Sequence, residues 1–524
     1  MNYKVCILTA GVGGRMGGLS DHINKGILPV NFKAVLSHII EKFPEEIEIV
    51  IAVGHKKETV QDYLAIAHPE RKIIFVEIDK YVGHGTGPGY SLLQCRRYLN
   101  CPFIFTTSDT LLIEKIPEPI ENFMAIAPFK GESERYCTVK IKNNLIYQID
   151  DKIKTDNKFL FTGVAGVKDY DAFFDALEKN KELKSGEIQV SNGFISLIEK
   201  KLLPVPVTWF DTGALESYKE TNQSFSGGNV KFDFSKTNEF IYNVNGRIIK
   251  YFADGEISRK RVERARLLKG LVPEIESQKG NFYSYKKVDG QVLYNLLNRQ
   301  IVRDFFQWLK QNLWKKREMN KDFADACLKF YQDKTIKRLE EFYRKTGIED
   351  IQTEINGVQV PPLKDLLKRI DWNSLIGIPT QIHGDNQFDN VLVTTDPKSN
   401  LQKFVLLDWR QDFGGLDYGD LYYDLAKLLG CMDLPYNLIK NGEFHFDMSG
   451  NSIYYNYSIK NDLIGAKEEF EEFVKKNGFD MHKIKLIEAL IFLNMSPLHS
   501  DPFDLMLYFL GKSKLFFALN QERI

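Results

Sequence analysis

His383-Gly384-Asp385 is followed, five positions after the aspartate, by Asn390, and then, beyond an apolar run, by Asp408. A carboxylate, an amide and a second carboxylate in that order are the parts phosphoryl transfer requires. Asp385 can orient an attacking hydroxyl, while Asn390 and Asp408 can hold Mg²⁺ against nucleotide phosphates. Two short apolar runs, Val391 to Val393 and Phe404 to Leu407, read as strands that would hold these polar residues at their ends, facing a cleft.

The first half carries a different set. Val5 to Leu8 reads as a buried strand running into Thr9-Ala10-Gly11-Val12-Gly13-Gly14-Arg15-Met16. Gly11, Gly13 and Gly14 let a phosphate chain approach exposed backbone N–H groups. Arg15 adds a cationic fork, and Lys25 lies a short loop further on. As glycines alone, the run reads equally well as a tight loop, and its Gly-x-Gly-Gly spacing does not fit the dinucleotide fingerprint.

The elements that position these residues alternate. Strands at Ile47 to Val53 and Ile73 to Glu77, with a helix from Glu58 to Ala65 between them, predict βα layering over a mostly parallel sheet. A second glycine-rich loop, Gly83 to Gly89, precedes an apolar helix through Leu93. Asp109 lies just beyond the strand Pro102 to Thr106, where open α/β sheets bind ligands. Asp211 ends the short aromatic run Val207 to Asp211. Two carboxylates brought to one metal would bind Mg²⁺ beside a triphosphate; each alone reads equally as a strand-end cap.

With 524 residues the chain is too long for one core, and 43% apolar with 27% charged residues places it in the folded globular class. Seventy basic residues balance 70 acidic ones, which gives no support for a nucleic-acid partner. Six scattered cysteines suit reduced thiols. Neither a signal peptide nor a membrane-spanning stretch is expected, which predicts a cytoplasmic protein acting on small molecules; a homo-oligomer is compatible with the sequence. The polar segment 223–239 is the expected linker between an N-terminal domain, 1–222, and a C-terminal one, 240–524.

Leu8-Thr9-Ala10-Gly11-x-Gly13-x-Arg15-Met16 with Lys25 and Pro29, then Gly85-Thr86, Asp109, Gly163, Glu187 and Trp209-Phe210-Asp211-Thr212-Gly213, resembles the sugar-1-phosphate and phosphocholine nucleotidyltransferase superfamily. The resemblance implies that Arg15 and Lys25 bind the triphosphate and that Asp109 and Asp211 bind Mg²⁺. It places Gly85 and Thr86 near the nucleobase or ribose, and Trp209 within a motif beside the acceptor. Glu187 would hold a sugar hydroxyl, or face a choline head group. Asn24 and Ala34 replace prolines of the pattern, Ser108 replaces a glycine, and Asp151-Lys152 stands where Glu-Lys is usual.

In the second half, Phe240 to Phe252 reads as a β-hairpin turning at Asn245-Gly246. Lys250 on its second strand is either an exposed strand lysine or an ATP-phosphate lysine, with Glu263 of the following helix as partner. Phe282 to Gly290 reads as a strand and turn. The tract from Leu293 to Tyr343 is helical in pattern, and its aromatics are expected in the core.

His383-Gly384-Asp385 with Asn390, Leu407-Asp408-Trp409 and Gly419-Asp420 to Asp424 resembles the aminoglycoside phosphotransferase and choline kinase family, which implies a bilobal, protein-kinase-like α+β domain. By this likeness Asp385 is the catalytic base, and Asn390 and Asp408 bind Mg²⁺. His383 supports the loop, Asp420 and Asp424 cap or anchor the following helix with Asp424 bracing the loop, and Arg410 and Asp412 lie near the acceptor. Trp409, with Trp372, either lines an aromatic box or packs in the core.

Together the two resemblances imply a bifunctional enzyme. ATP would phosphorylate a choline-like amino alcohol, and CTP would supply a nucleotidyl group to that phosphomonoester, for cell-surface glycan or lipid decoration. The alternatives are a sugar kinase joined to a sugar-1-phosphate nucleotidyltransferase, and a non-catalytic scaffold.

Overall fold

The computed structural model describes residues 3–129, 131–227, 237–395 and 402–520. By contacts the chain divides into two units. The first contains the described residues up to 227 together with 237–255 and 276–287; the second contains 256–275 and the described residues from 288 onward. Of the expected linker, the helix Leu215–Phe225 covers the start, and 228–236 lie outside the described residues.

The first unit is built on the strand Lys4–Leu8, whose hydrophobic residues bury on both faces. It pairs in parallel with Ile49–Val53 on one side and Phe103–Thr107 on the other, and Ile73–Glu77 extends the parallel part. Helices Lys57–Ala67 and Pro88–Cys95 make the crossovers.

Beyond Phe103–Thr107 the sheet turns antiparallel through Phe159–Val167, Cys137–Lys142 and Leu145–Asp151. The mostly parallel sheet expected from the sequence is therefore mixed. The reason is local. Asn143 and Asn144 both adopt positive φ (51° and 58°), the geometry of a two-residue hairpin turn, so no helix intervenes. Gly163, at φ 88°, sits in an irregular stretch of its strand, and a Cβ there would meet Thr107 Oγ1 at 2.7 Å.

The hairpin Glu239–Val244 and Arg247–Phe252 turns at Asn245-Gly246, both at positive φ, and pairs with Phe282–Lys286. This sheet joins the core of the first unit. Tyr242 lies 4.8 Å from the Tyr63 ring and donates its hydroxyl to the Ile27 carbonyl, and Tyr251 donates to His22.

The second unit is largely helical. Leu421–Asp433 is buried along its whole length and packs on Met481–Met495, which packs on Phe503–Asn520. Phe305 and Phe306 face Phe404 and Phe473 in the core. Phe444–Ser449 and Ser452–Tyr457 form a hairpin that adds in parallel to Thr353–Ile355. No helix among the described residues is long and apolar enough to cross a membrane.

Candidate active sites

The glycine run leaves the carboxyl end of the central strand and passes into a short helical turn, Gly14–Ser20. Gly13 sits in the left-handed region (φ 72°), and a Cβ there would be 3.3 Å from Lys25 Cβ. The turn thus lies against the stem of Lys25. Positions Gly11 and Gly14 face open space. Asn24 fixes the other side of this lysine: its Nδ2 donates to the carbonyls of Thr9 (2.9 Å) and His55 (2.8 Å), and its Oδ1 caps Gly26 N–H. At φ −67° and ψ 139° the backbone of Asn24 is one a proline could adopt. The amide side chain adds two donors that proline lacks.

Asp109 and Asp211 are brought together by a short antiparallel pair, in which Trp209–Asp211 aligns with Thr110–Leu112 and Asp211 stands opposite Thr110. Thr212 N–H closes on the Asp109 carbonyl at 2.9 Å. A methyl group placed on Gly213 would lie 3.0 Å from Asp109 Oδ2, 3.0 Å from Asp211 Oδ1 and 3.3 Å from Arg15 Nη2. Two carboxylates and a guanidinium therefore converge on one alpha carbon. Lys25 Nζ reaches Asp109 Oδ2 at 2.5 Å. Burial alone would raise the Asp109 carboxyl, but Lys25, Thr107 and Arg15 outweigh it and hold it below its ordinary value. The anionic form needed for a metal is thus the resting form. Among the described residues no group of three or more His, Cys, Asp or Glu could hold a metal ion. Two carboxylates suffice for Mg²⁺, which takes its remaining ligands from phosphates and water, and the residues present fit it.

The second glycine loop meets Glu187 directly. Thr86 bridges to Glu187 in parallel, Ile188 N–H donates to the Thr86 carbonyl (2.7 Å), and Gly85 N–H donates to Gly186 (2.8 Å). Glu187 Oε2 accepts from Lys152 (3.2 Å) and Gln189 (3.0 Å). Lys152 is itself at positive φ, 54°, next to Asp151, which accepts from Ser191 Oγ at 2.6 Å. Trp209 is half-buried, with its Nε1 3.3 Å from Thr110 Oγ1 and its ring edge-on to Tyr136. Lys152 and Tyr136 are additions that the motif reading left without a role.

In the second unit, Val391–Thr395 pairs with Gln402–Leu406, and Val391 stands opposite Leu406. This register puts Asn390 and Asp408 at one end of the pair, with Leu407 N–H on the Asn390 carbonyl at 2.7 Å. Asn390 Nδ2 donates to the Asp385 carbonyl at 3.0 Å and lies 3.3 Å from its Oδ2. Asp408 has φ 58° and faces Arg261 Nη1 at 3.5 Å. An amide oxygen and a carboxylate at one strand end beside Asp385 fit Mg²⁺ held against phosphates.

The loop is braced from beneath. Asp424, fully buried, accepts from His383 N–H (2.9 Å), Gly384 N–H (2.8 Å) and Trp314 Nε1 (3.1 Å). Asp420 caps the same helix and accepts from Tyr422 N–H, Ile378 N–H and the Tyr331 hydroxyl. Burial raises both carboxyls to about 6 against these bonds. His383 is buried and its Nδ1 faces Asp385 N–H at 3.3 Å; burial lowers it to about 4, so it stays neutral.

Lys427, one turn after Asp424, reaches Asp385 Oδ1 at 2.7 Å. Burial would raise the Asp385 carboxyl, but Lys427, Gln387 and His383 hold it well below the usual carboxylate range. Sequence reading missed Lys427, since nothing marks one lysine in an otherwise apolar helix.

Other candidates fall differently. Trp409 is fully buried, with its Nε1 on the Arg261 carbonyl at 2.7 Å, so it is a core residue and lines no aromatic box. Lys250 is buried, not an exposed strand lysine. Glu263, read as its partner, is ion-paired to Arg259 on its own helix. Asp412 is held by Lys260 at 3.2 Å, and Arg410 lies with its guanidinium 4.9 Å from the Phe330 ring.

The chain is 28% identical over 225 residues to the bifunctional protein GlmU of Methanocaldococcus jannaschii, covering 41% of this chain and 53% of that protein. It is 28% identical over 254 residues to GlmU of Methanococcus vannielii, covering 46% of this chain and 59% of that one. The chain thus spans about half the length of the curated relatives it matches. Among solved structures, UDP-glucose pyrophosphorylase complexed with UDP-glucose aligns over 43% of this chain and 99% of its own, at 18% identity and a TM-score of 0.38. No family model matches the chain. Its N-terminal unit is similar in sequence to these GlmU proteins.

Proposed function

We propose that the first unit joins a nucleoside triphosphate to a sugar 1-phosphate, releasing pyrophosphate, and that the second transfers the γ-phosphoryl group of ATP to a small hydroxyl acceptor. The convergence of Asp109, Asp211 and Arg15 on Gly213 carries the first part. An oxygen of the incoming phosphomonoester attacks the α-phosphorus, and the bond from that phosphorus to the bridging oxygen breaks. The nucleophile is already an anion, so no side chain need remove a proton. Mg²⁺ bound at Asp109 and Asp211 would supply charge stabilisation that grows as the phosphorus becomes five-coordinate. Arg15 and Lys25 neutralise the departing pyrophosphate.

A sugar phosphate is favoured over phosphocholine by the GlmU relatives. Glu187 gives that reading a physical basis, because Lys152 and Gln189 fix its carboxylate while leaving it half-exposed beside Gly85-Thr86. The base specificity follows from the acceptor only weakly, so CTP is one of several triphosphates to be compared.

For the second unit, the supporting observation is Asp385 set between Asn390 and Lys427 on a loop braced by Asp424. A carboxylate held so far into its ionised form is a weak base. It orients the acceptor hydroxyl and receives its proton late, as a loose phosphoryl transition state allows. Asn390 and Asp408 would hold Mg²⁺, which would supply charge stabilisation to the transferring phosphoryl group. Incubation with ATP, four separate triphosphates, Mg²⁺ and a panel of sugars and sugar 1-phosphates tests both parts. A nucleotide-diphospho-sugar and ADP are the expected products; absence of pyrophosphate with every sugar 1-phosphate overturns the first reading.

A further inference from the structure

The basic groups near Asp385 outnumber its single charge. Lys334 Nζ lies 4.0 Å from the centre of the Phe330 ring, and the Arg410 guanidinium lies 4.9 Å from the same centre. Lys427 touches Asp385 Oδ1. The charges that act most on Lys334 are those of Arg410, Lys427, Arg338 and Asp385, three cations to one carboxylate. Arg338 is paired with Glu341, one turn along its helix. Among the described residues neither Lys334 nor Arg410 has a carboxylate within ion-pair distance, and the nearby Asp412 is turned to Lys260.

The two oxygens of Asp385 define sides. Oδ2 faces Asn390, which marks the side of the nucleotide phosphates, while Oδ1 faces Lys427 and the Gln387 amide. Lys427 therefore marks the other side of Asp385, and Arg410 lies against the same loop, its N–H on the His383 carbonyl at 3.0 Å. Phe330 is itself fixed by Phe413, stacked at 4.2 Å, and by Tyr423 edge-on at 4.9 Å. It is a rigid floor on which both cations are held.

We propose that the acceptor phosphorylated by the second unit is an anion, a hydroxylated carboxylate or phosphate, whose charged group is bound by Lys334 and Arg410 while its hydroxyl faces Asp385. The proposal rests on the phosphotransfer reading above and names the substrate class of that site. A quaternary ammonium or a free amine would be repelled there, which argues against the amino-alcohol acceptor. Burial, then Arg410, Lys427 and Arg338, push the Lys334 ammonium well below its ordinary value, against Asp385. An anion at this place offsets that repulsion and draws the Lys334 ammonium back toward its ordinary value. In the reaction the bond from the γ-phosphorus to the β-bridging oxygen breaks and a bond to the acceptor hydroxyl oxygen forms. The hydroxyl proton passes to Asp385, and ADP leaves.

The test uses the full chain with ATP and Mg²⁺. Matched acceptors are offered: glycerol, glycerate and glycerol phosphate; glucose, glucuronate and glucose 6-phosphate; and choline. ADP release is followed, and calorimetry measures binding of each acceptor to the protein. The expected result is transfer to an anionic member of a set and not to its neutral or cationic counterpart, the carboxylate and phosphate arms deciding which anion. Lys334→Met and Arg410→Gln should each raise KM for that acceptor at least about tenfold with kcat changed far less. Two variants guard against a fold defect in one. Transfer to glycerol, glucose or choline in preference to the anions overturns the proposal and leaves the phosphotransfer reading standing. Anion binding lost in Lys334→Met without any ADP release upholds the anion site and overturns phosphotransfer. Anion binding that survives in Lys334→Met but is lost in Arg15→Ala belongs to the first unit, and it overturns the proposal, as does no anion binding at all.

Discussion

The Lys25 ammonium and the Asp109 carboxylate lie 2.5 Å apart, and each belongs to a different loop at the carboxyl ends of adjacent parallel strands. Both groups are only partly exposed, so their charges compensate each other when no triphosphate is bound. When Mg²⁺ and phosphates are present the two charges are needed separately, the cation for phosphate and the anion for metal. Lys25→Met is therefore expected to lower the rate of pyrophosphate release about 10²–10³-fold, as for loss of one preorganised group at a developing charge. Asp109→Asn should do so at least as severely. Pyrophosphate assay checks both, and a wild-type rate in either variant removes the pair from the chemistry.

Asp385→Ala should abolish ADP release with the acceptor and leave pyrophosphate formation from a supplied sugar 1-phosphate nearly intact. Asp385, Asn390 and Asp408 lie in one contact unit, and Arg15, Lys25, Asp109 and Asp211 in the other. A parallel fall in both rates would falsify the assignment of two sites.

Asp424 accepts three N–H donors on its two oxygens. Asparagine would offer one oxygen and turn an NH2 group toward a donor. Asp424→Asn is expected to cost about 1–3 kcal/mol, the range for a buried polar group left unpaired. The loop carrying Asp385 should lose order first. Hydrogen exchange of amides 383–390 reads this, and unchanged protection there would show that the brace is dispensable.

His383 titrates at about 4 in the fold because it is buried, against an ordinary value near 6.5. A base lowered in the folded state stabilises it above the unfolded value and loses that contribution as pH falls. Between pH 6.5 and 4 the second unit should lose about 3 kcal/mol from this group alone, at about 1.4 kcal/mol for each pH unit. Asp420 and Asp424, raised to about 6, act in the opposite sense over this range, so the difference between wild-type and His383→Leu denaturant midpoints at each pH isolates the histidine's contribution.

Asn24→Ala removes two donors and a cap from the turn holding Lys25. Stability of the first unit should fall by about 1–3 kcal/mol and pyrophosphate release should slow. Thermal unfolding and the same assay measure the two effects together, and a slower rate without lost stability would mean that Asn24 acts on ligand directly.

Much of the site was legible because its chemistry is local in sequence. The glycine run, Lys25, Asp109 and Asp211 each end or follow an apolar strand, and the Asn245-Gly246 turn was readable from two residues. The mixed sheet was not, because strand direction depends on which turns close as hairpins, and Asn143-Asn144 is a weaker signal than Asn-Gly. Lys427 and Lys334 were invisible for another reason. Each lies on a helix distant in sequence from Asp385, and only tertiary packing aims it there. Trp409 shows the converse, a conspicuous residue next to Asp408 whose ring is spent on the core.

The hydroxyls of Tyr242 and Tyr251 hold the carbonyls of Ile27 and His22, on either side of Lys25. Tyr251 is the neighbour of Lys250 on one strand. The backbone that presents one candidate phosphate-binding lysine is thus latched to the backbone that presents the other. The hairpin is thereby a mechanical handle on the loop that carries Lys25, although its tyrosines lie 215 and 229 residues from the carbonyls they hold. A pull on either strand or loop reaches its counterpart through two hydrogen bonds, and the effect must run equally in both directions.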